Sequence, residues 1–158
     1  MTTASHLRDV SAYTPAPAVA AGVHLLDVIP LPATLQVLLV EDDDADAYLI
    51  ERALSANPRV GAIVRARDGV EALELVDARR MKPDLAIVDL HMPRKDGFAL
   101  LSELAARVTV EFPSVILTSS KRGADALRSR KRGATLFVTK PDSLEKLTAA
   151  LNRVVATV

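Results

Sequence analysis

The stretch "VLLVEDDDADAYLI", Val37 to Ile50, joins a short apolar run to a dense group of acidic residues. Between positions 41 and 46, every residue except Ala45 carries a carboxylate. Carboxylates this close repel one another unless a cation lies between them or solvent separates them. Three explanations are open: a calcium-binding loop, a magnesium site for phosphate chemistry, or a solvated turn that leads into a helix with negative charge at its start.

The apolar run at the start of this stretch is one of a regular series. Runs rich in Val, Ile and Leu that do not alternate with polar residues are typical of strands buried on both faces. They lie at 35–40, 60–66, 84–90, 114–119 and 134–139. Helix-length amphipathic segments separate them, so the chain from residue 35 predicts an α/β fold with an open, five-stranded, parallel, doubly wound sheet.

Two of the helix-length segments show a helical apolar face. Two pairs of residues indicate where a helix begins. The apolar faces comprise Leu101, Leu104, Ala105 and Val108 in one segment and Leu144, Leu147, Leu151 and Val154 in the other. The pairs Asp68 with Glu71 and Asp142 with Glu145 have the spacing of a helix N-cap and its third residue. We therefore expect helices to begin at Asp68 and Asp142.

Composition excludes several classes of function. The 158 residues include no Cys, which excludes disulfides, a thiol nucleophile and cysteine-ligated metals. The three His lack zinc-site spacing, and a net charge of zero with 3% aromatic residues indicates neither nucleic-acid nor membrane binding. The apolar-leaning stretch 18–33 is too short and too interrupted to span a bilayer, so we expect a cytoplasmic protein.

Residues 1–34 differ from the rest of the chain. They contain "TPAPAVAAG" and "IPLPAT", carry few charges and show no sustained periodicity. This composition predicts an N-terminal arm or tail, either disordered or docked through its apolar segment 23–29, followed by one domain at 35–158.

Polar residues lie at or just after the carboxyl ends of four of the five predicted strands. They are Glu41 to Asp43, Asp89, Thr118 to Ser120, and Lys140. In a doubly wound parallel sheet the carboxyl ends of the strands meet at one edge, where ligands bind. Carboxylates there suit Mg²⁺, a hydroxyl and an ammonium can hold phosphoryl oxygens, and an Asp can act as a nucleophile that forms an acyl phosphate.

The calcium hypothesis fails on residue positions. A calcium-binding loop that begins at Asp42 requires Gly at its sixth position and Glu at its twelfth, where this chain has Ala47 and Ala53. The residues before the loop also predict a strand rather than a helix. The magnesium site and the solvated turn remain.

Four segments resemble the response-regulator receiver domain of bacterial two-component signalling. They are "VLLVEDD", "PDLAIVDLHMPRKDG", "ILTSS" and "GATLFVTKP", in the order and at close to the spacing of that family. The resemblance covers 35–158 and implies the flavodoxin-like strand order 2-1-3-4-5. It also implies a switch, not an enzyme with free substrate turnover, that a sensor histidine kinase phosphorylates with Mg²⁺ as cofactor.

The same resemblance implies roles for individual residues. Asp89 is the expected phosphoacceptor. The expected metal ligands are Glu41, Asp42, Asp89 and the backbone carbonyl of His91. The expected phosphoryl-binding and switch residues are Thr118, Ser119, Lys140 and Phe137, with Phe137 rotating inward behind Thr118. The side chains expected to tune the dephosphorylation rate are His91 and Ser120.

Simpler interpretations stand beside these roles. Asp43, Asp44 and Asp46 fit a solvated turn and a helix start. Asp96, before Gly97, fits a turn or cap residue. Phe137 could be ordinary core packing, because an aromatic residue in a strand usually is.

The segment "KRGADALRSRKRG", residues 121–133, contains six basic residues. It fits a solvated helix face or an interaction surface for a downstream protein or a second copy of the chain. The residues of that predicted surface are Lys121, Arg122, Arg128, Arg130, Lys131 and Arg132.

Two segments extend the resemblance to a subgroup. "DLHMPRKDG" and "TKPDSLEKL" are similar to stand-alone receivers that work with phytochrome-type kinases and often form homodimers. No output domain is recognisable, because the leading residues are too few for a DNA-binding module. Two alternatives remain: a pseudo-receiver that binds a partner without phosphorylation, and a Mg²⁺-dependent phosphohydrolase, although no segment provides a substrate-covering cap.

Overall fold

A computed structural model describes residues 34–78, 80–107 and 111–158. The strands are β1 (Leu35–Val40), β2 (Val60–Ala66), β3 (Leu85–Val88), β4 (Ser114–Thr118) and β5 (Leu136–Thr139). The helices are α1 (Asp44–Ser55), α2 (Gly69–Asp77), α3 (Gly97–Ala105), α4 (Gly123–Lys131) and α5 (Leu144–Val155). The predicted arm, residues 1–34, lies outside the described residues except for Thr34.

The five strands form one parallel sheet in the order β2-β1-β3-β4-β5. This confirms the predicted doubly wound α/β fold and its strand order. The chain passes outward from β1 to β2 and then back across to β3, so the strand order reverses between β1 and β3. At this switch point Val40 and Val88 are partners in register, and acidic residues follow both of them.

Strand β1 is buried on both of its faces, as its sequence predicted. Val37 and Leu39 belong to the apolar cluster that includes α1 and α5, whereas Leu38 and Val40 belong to the cluster that includes α2 and α3. Burying an aliphatic side chain of this size contributes about 1.5–3 kcal/mol. Packing on both faces therefore fixes the strand end from which Glu41 and Asp42 extend.

The starts of α2 and α5 test the predicted caps. Asp68 caps α2, because its carboxylate accepts hydrogen bonds from the backbone N–H groups of Val70 (2.8 Å) and Glu71 (3.1 Å). The prediction for Asp142 is wrong. Ser143 caps α5 by accepting from the backbone of Lys146, and Asp142 instead pairs with the Lys146 ammonium at 2.8 Å.

The predicted apolar faces are correct in most positions. Leu101 and Leu104 are buried on α3, and Leu147, Leu151 and Val154 are buried on α5. Ala105 is exposed at the end of α3, and Val108 lies outside the described residues. Within the part of the chain that the structure describes, no helix is both long enough and apolar enough to cross a membrane.

Candidate functional site

Three carboxylates meet at the switch point of the sheet. Glu41, Asp42 and Asp89 each offer an oxygen, and these oxygens lie within 4.8 Å of one another. The sheet holds two of these residues by their main chains. The N–H of Glu41 donates to the Ala66 carbonyl (3.0 Å), and the N–H of Asp89 donates to the Val40 carbonyl (2.9 Å). The predicted acidic residues therefore converge because hydrogen bonding continues past the ends of β1 and β3.

Lys140 brings a positive charge to this cluster from the end of β5. Its Nζ lies 2.8 Å from Glu41 Oε2, 2.7 Å from Asp46 Oδ2 and 3.6 Å from Asp89 Oδ1. Its backbone N–H donates to the Thr118 carbonyl at 2.7 Å, which ties the end of β5 to that of β4. The predicted phosphoryl-binding lysine thus lies beside the predicted phosphoacceptor.

The charges of this site shift two pKa values. Burial raises the pKa of the Glu41 carboxyl, and the Lys140 ammonium opposes that rise without cancelling it. Burial by itself lowers the pKa of Lys140, but its hydrogen bonds to Asp46 and Glu41 and the charge of Asp89 raise that pKa above its usual value. Lys140 is therefore an ammonium throughout the physiological pH range.

The donor set fits a hard divalent cation. The cluster offers carboxylate oxygens and neither nitrogen nor sulfur. Oxygen atoms are the ligands that Mg²⁺ prefers. One ammonium cannot balance Glu41, Asp42, Asp46 and Asp89 when all four are ionised, so a second positive charge at the cluster would reduce their repulsion.

The loop between β3 and α3 lies against Asp89. The backbone N–H of His91 donates to Asp89 Oδ2 at 2.9 Å, and the His91 side chain is exposed. A β-carbon on Gly97 would lie 2.3 Å from the Asp89 carbonyl oxygen, so only glycine fits there. Asp96 caps α3, in agreement with its simpler interpretation. Our sequence reasoning missed Gly97, which the "KDG" segment could have indicated.

A second contact connects this loop to the start of α2. Arg94 has a positive φ of 58°, and its Nε donates to Asp68 Oδ2 at 2.6 Å. Burial raises the pKa of the Asp68 carboxyl, but its hydrogen bonds from the Glu71 backbone and Arg94 outweigh burial and hold that pKa below its usual range. No sequence pattern indicated this pair, because the two residues lie in different loops.

Thr118 and its neighbours end β4 beside the cluster. Thr118 is fully buried, and its Oγ1 lies 3.3 Å from the backbone N of Ser120, from which it accepts a hydrogen bond. The Ser120 hydroxyl is 2.5 Å from an Asp125 carboxylate oxygen at the start of α4, whereas Ser119 is exposed. Phe137 is half-buried and lines a groove with Leu127 and Leu136. The switch and rate-tuning roles of these residues stay predictions.

The three remaining acidic residues of the opening stretch have different partners. Asp43 caps α1 by accepting from the backbone of Asp46. Asp44 pairs with Arg65 at 2.7 Å, and the same guanidinium donates to the carbonyls of Glu41 (3.0 Å) and Asp42 (3.1 Å). Asp43 and Asp44 thus fit a helix start, whereas Asp46 contacts Lys140. Sequence reasoning missed the contact of Asp46 with Lys140 and the contacts of Arg65 with the main chain.

The basic segment separates into two groups. Arg128 lies 4.0 Å from the centre of the Phe98 ring, and Arg132 donates to Ser102 Oγ at 2.7 Å, so both hold α4 against α3. The other members of the predicted surface, Lys121, Arg122, Arg130 and Lys131, are exposed, as is Arg128, whereas Arg132 is half-buried. Their role as an interaction surface stays a prediction.

Comparison with known proteins agrees with this geometry. The sequence model of one protein family, the response regulator receiver domain, matches residues 37–152. A curated relative, a protein-glutamate methylesterase/protein-glutamine glutaminase of Anaeromyxobacter dehalogenans, is 38% identical over 109 residues, which are 69% of this chain and 30% of that protein. The chain spans half or less of the length of the first curated relatives it matches.

In two solved structures the likeness covers most of the other chain. The phosphorylated cyanobacterial phytochrome response regulator RcpA is 31% identical, with a TM-score of 0.72 over 77% of this chain and 91% of that one. The Mn²⁺-bound form of the response regulator Rcp1 is 27% identical, with a TM-score of 0.68 over 76% of this chain and 91% of that one.

Proposed function

Since the chain belongs to the response regulator receiver domain family, we propose that it accepts a phosphoryl group on Asp89 from a sensor histidine kinase. One observation carries the proposal. The buried Asp89 carboxylate lies close to those of Glu41 and Asp42, and the Lys140 ammonium is 3.6 Å from one of its oxygens. An anionic nucleophile and a fixed positive charge are the two groups that transfer of a phosphoryl anion requires.

The transfer exchanges one bond for another. An oxygen of the Asp89 carboxylate attacks the phosphorus, and the bond from phosphorus to the kinase histidine nitrogen breaks. The electron pair stays on that nitrogen, which takes a proton from solvent, and Asp89 becomes an acyl phosphate. The Lys140 ammonium attracts a phosphoryl oxygen, which stabilises the charge that moves during the transfer.

The acidic cluster would hold Mg²⁺ through Glu41, Asp42, Asp89 and the backbone carbonyl of His91. When bound, the cation would supply positive charge to the oxygens of the transferring group. The likeness to Rcp1, whose structure was solved in its Mn²⁺-bound form, supports the binding of a divalent cation by this chain.

The output of the switch would be a changed surface at α4 and β5. Thr118 would donate its hydroxyl hydrogen to the phosphoryl group, and Phe137 would move toward the space behind it. Ser119 would add a polar contact, while His91 and Ser120 would tune the lifetime of the phosphate. The surface would then bind a downstream protein or form a homodimer, through the exposed basic residues of α4.

The donor kinase is proposed from likeness to RcpA, a phytochrome response regulator. A phytochrome-type histidine kinase is therefore the first donor to test. We propose that the protein reacts with such a kinase and that it does so in the cytoplasm.

Phosphorylation by a small donor tests the function. The protein is incubated with acetyl phosphate and Mg²⁺, and its intact mass is followed with time. We expect a gain of one phosphoryl group that hydroxylamine removes and that Asp89→Asn and metal chelation both prevent. An unchanged mass in the wild type would favour a phosphorylation-independent binding module. Sustained phosphate release from varied phosphate esters would favour a phosphohydrolase.

A further inference from the structure

Asp46 differs from its acidic neighbours in what it contacts. It lies in the first turn of α1, where Asp43 caps the helix and Asp44 pairs with Arg65. The Asp46 side chain is 40% exposed, and one of its oxygens lies 2.7 Å from Lys140 Nζ. That distance is shorter than the 3.6 Å between Lys140 Nζ and Asp89, so Asp46 is a direct partner of the site lysine.

The hydrogen-bond donors of Lys140 explain what this contact does. An ammonium carries three N–H donors on a flexible four-carbon chain. Glu41 and Asp46 accept from Lys140 at 2.8 Å and 2.7 Å, which leaves one donor for the side on which Asp89 lies. Two carboxylates thus fix both the position and the direction of a side chain that would otherwise sample many rotamers.

The two carboxylates are not equivalent. Glu41 is also one of the three residues whose oxygens converge as a candidate cation site, so a bound cation and Lys140 would share its carboxylate. Asp46 is not part of that group. A cation that draws on Glu41 would leave Asp46 as the carboxylate that still holds Lys140.

We propose that Asp46 is a positioning residue that keeps the Lys140 ammonium directed at the phosphoryl group on Asp89. Asp46 touches neither the nucleophile nor the transferred group, and it acts through Lys140. This inference rests on the proposed function. It adds a residue from α1 to a site whose other members extend from strand ends.

Binding of beryllium fluoride, a phosphoryl mimic, tests the inference with Mg²⁺ present. Fluorine NMR gives the concentration that half-saturates the wild type, Asp46→Ala, Asp46→Asn and Asp44→Ala. Asp44→Ala is the matched control, because it removes a carboxylate from the same helical turn that pairs with Arg65 instead of Lys140. We expect Asp46→Ala to raise the half-saturating concentration of the mimic by about threefold or more, as loss of a partly exposed ion pair would, and Asp44→Ala to change it by less than about twofold.

Two further readouts separate positioning from a general loss of structure or charge. The Mg²⁺ affinity without beryllium fluoride, measured by calorimetry, should change less than the mimic affinity does. The melting temperature of Asp46→Ala should fall no further below that of the wild type than the melting temperature of Asp44→Ala does. Asp46→Asn, whose amide oxygen still accepts from an ammonium, should bind the mimic more tightly than Asp46→Ala.

Each other outcome has a definite meaning. Equal mimic affinity in the wild type and Asp46→Ala, tighter binding in Asp46→Ala, or equal losses in Asp46→Ala and Asp44→Ala would each overturn the inference. Failure of the wild type itself to bind the mimic would instead overturn the proposed function.

Discussion

Gly97 lies so close to the main chain of Asp89 that a β-carbon at position 97 would be 2.3 Å from the Asp89 carbonyl oxygen. The Gly97 N–H also donates to the Leu90 carbonyl at 3.0 Å. The first residue of α3 therefore supports the backbone of the proposed phosphoacceptor. Any larger residue at 97 has to displace the strand end, the helix or both.

We expect Gly97→Ala to damage the site before it unfolds the domain. A displaced Asp89 backbone should slow phosphorylation by acetyl phosphate at least about tenfold, because small misplacements of reacting groups are costly. Intact mass spectrometry over time measures the rate. Gly123→Ala is the matched control, since a β-carbon at that helix start would meet no atom within 4 Å beyond its chain neighbours and the backbone of its own helix. Similar rates for both variants would show that the contact with Asp89 has no effect on the chemistry.

Asp68 should contribute to stability through charge as well as through capping. Asp68→Asn should lower the free energy of unfolding at pH 7 by about 1 kcal/mol or more, because Arg94 then lacks its anionic partner. The folded state lowers the pKa of Asp68, so this contribution is present above the unfolded pKa and is lost as the pH falls through the folded pKa. Urea unfolding of both proteins should show their difference shrinking from pH 7 towards pH 3. A difference that grew in acid would contradict the assignment.

Arg94 combines a backbone cost with a side-chain benefit. Its φ of 58° disfavours a residue with a β-carbon by about 1 kcal/mol, whereas glycine accepts that conformation. Arg94→Ala should therefore be less stable than Arg94→Gly by about that amount in urea unfolding, because both lose the contact with Asp68 and only Ala keeps the strain. Equal stability of the two variants would show that the loop relaxes when the arginine is removed.

Lys140 should be required for phosphoryl binding in a way that other lysines are not. Lys140→Met should weaken beryllium fluoride binding by about tenfold or more, since the charge-assisted hydrogen bond to the mimic is lost. Lys146→Met is the control, because Lys146 is exposed on α5 and pairs with Asp142. If Lys140→Met binds beryllium fluoride within about twofold of the wild-type affinity, Lys140 does not contribute to phosphoryl binding.

The sequence predicted the sheet and the carboxyl-end cluster for a local reason. Runs such as Val37 to Val40 are apolar at every position, which only burial on both faces explains, and strand direction then brings Glu41 and Asp89 together. Helix starts were less certain, because Asp142 and Ser143 are both good cap residues and their packing decides between them. In this sequence a carboxylate in the first turn of α1 looks the same whether it meets solvent or Lys140.

The contacts that sequence reasoning missed join residues far apart in the chain. Lys140 and Asp46 lie on different elements, as do Arg65 and the carbonyl of Glu41. Each depends on how a long side chain lies across the finished fold, and a pattern of residue types contains no information on that path. Gly97 is the exception, since a glycine directly after a cap residue can indicate a close approach of two backbones.

The central claim is that Asp89 is the residue phosphorylated. Protein treated with acetyl phosphate and Mg²⁺ can be reduced with borohydride, which converts an acyl phosphate on Asp into homoserine, and the peptides can then be sequenced by mass spectrometry. The account predicts that the reduced residue is Asp89 and that Glu41 and Asp42 stay unchanged. Reduction at another carboxylate, or a phosphorylated protein in which Asp89 is intact, would contradict it.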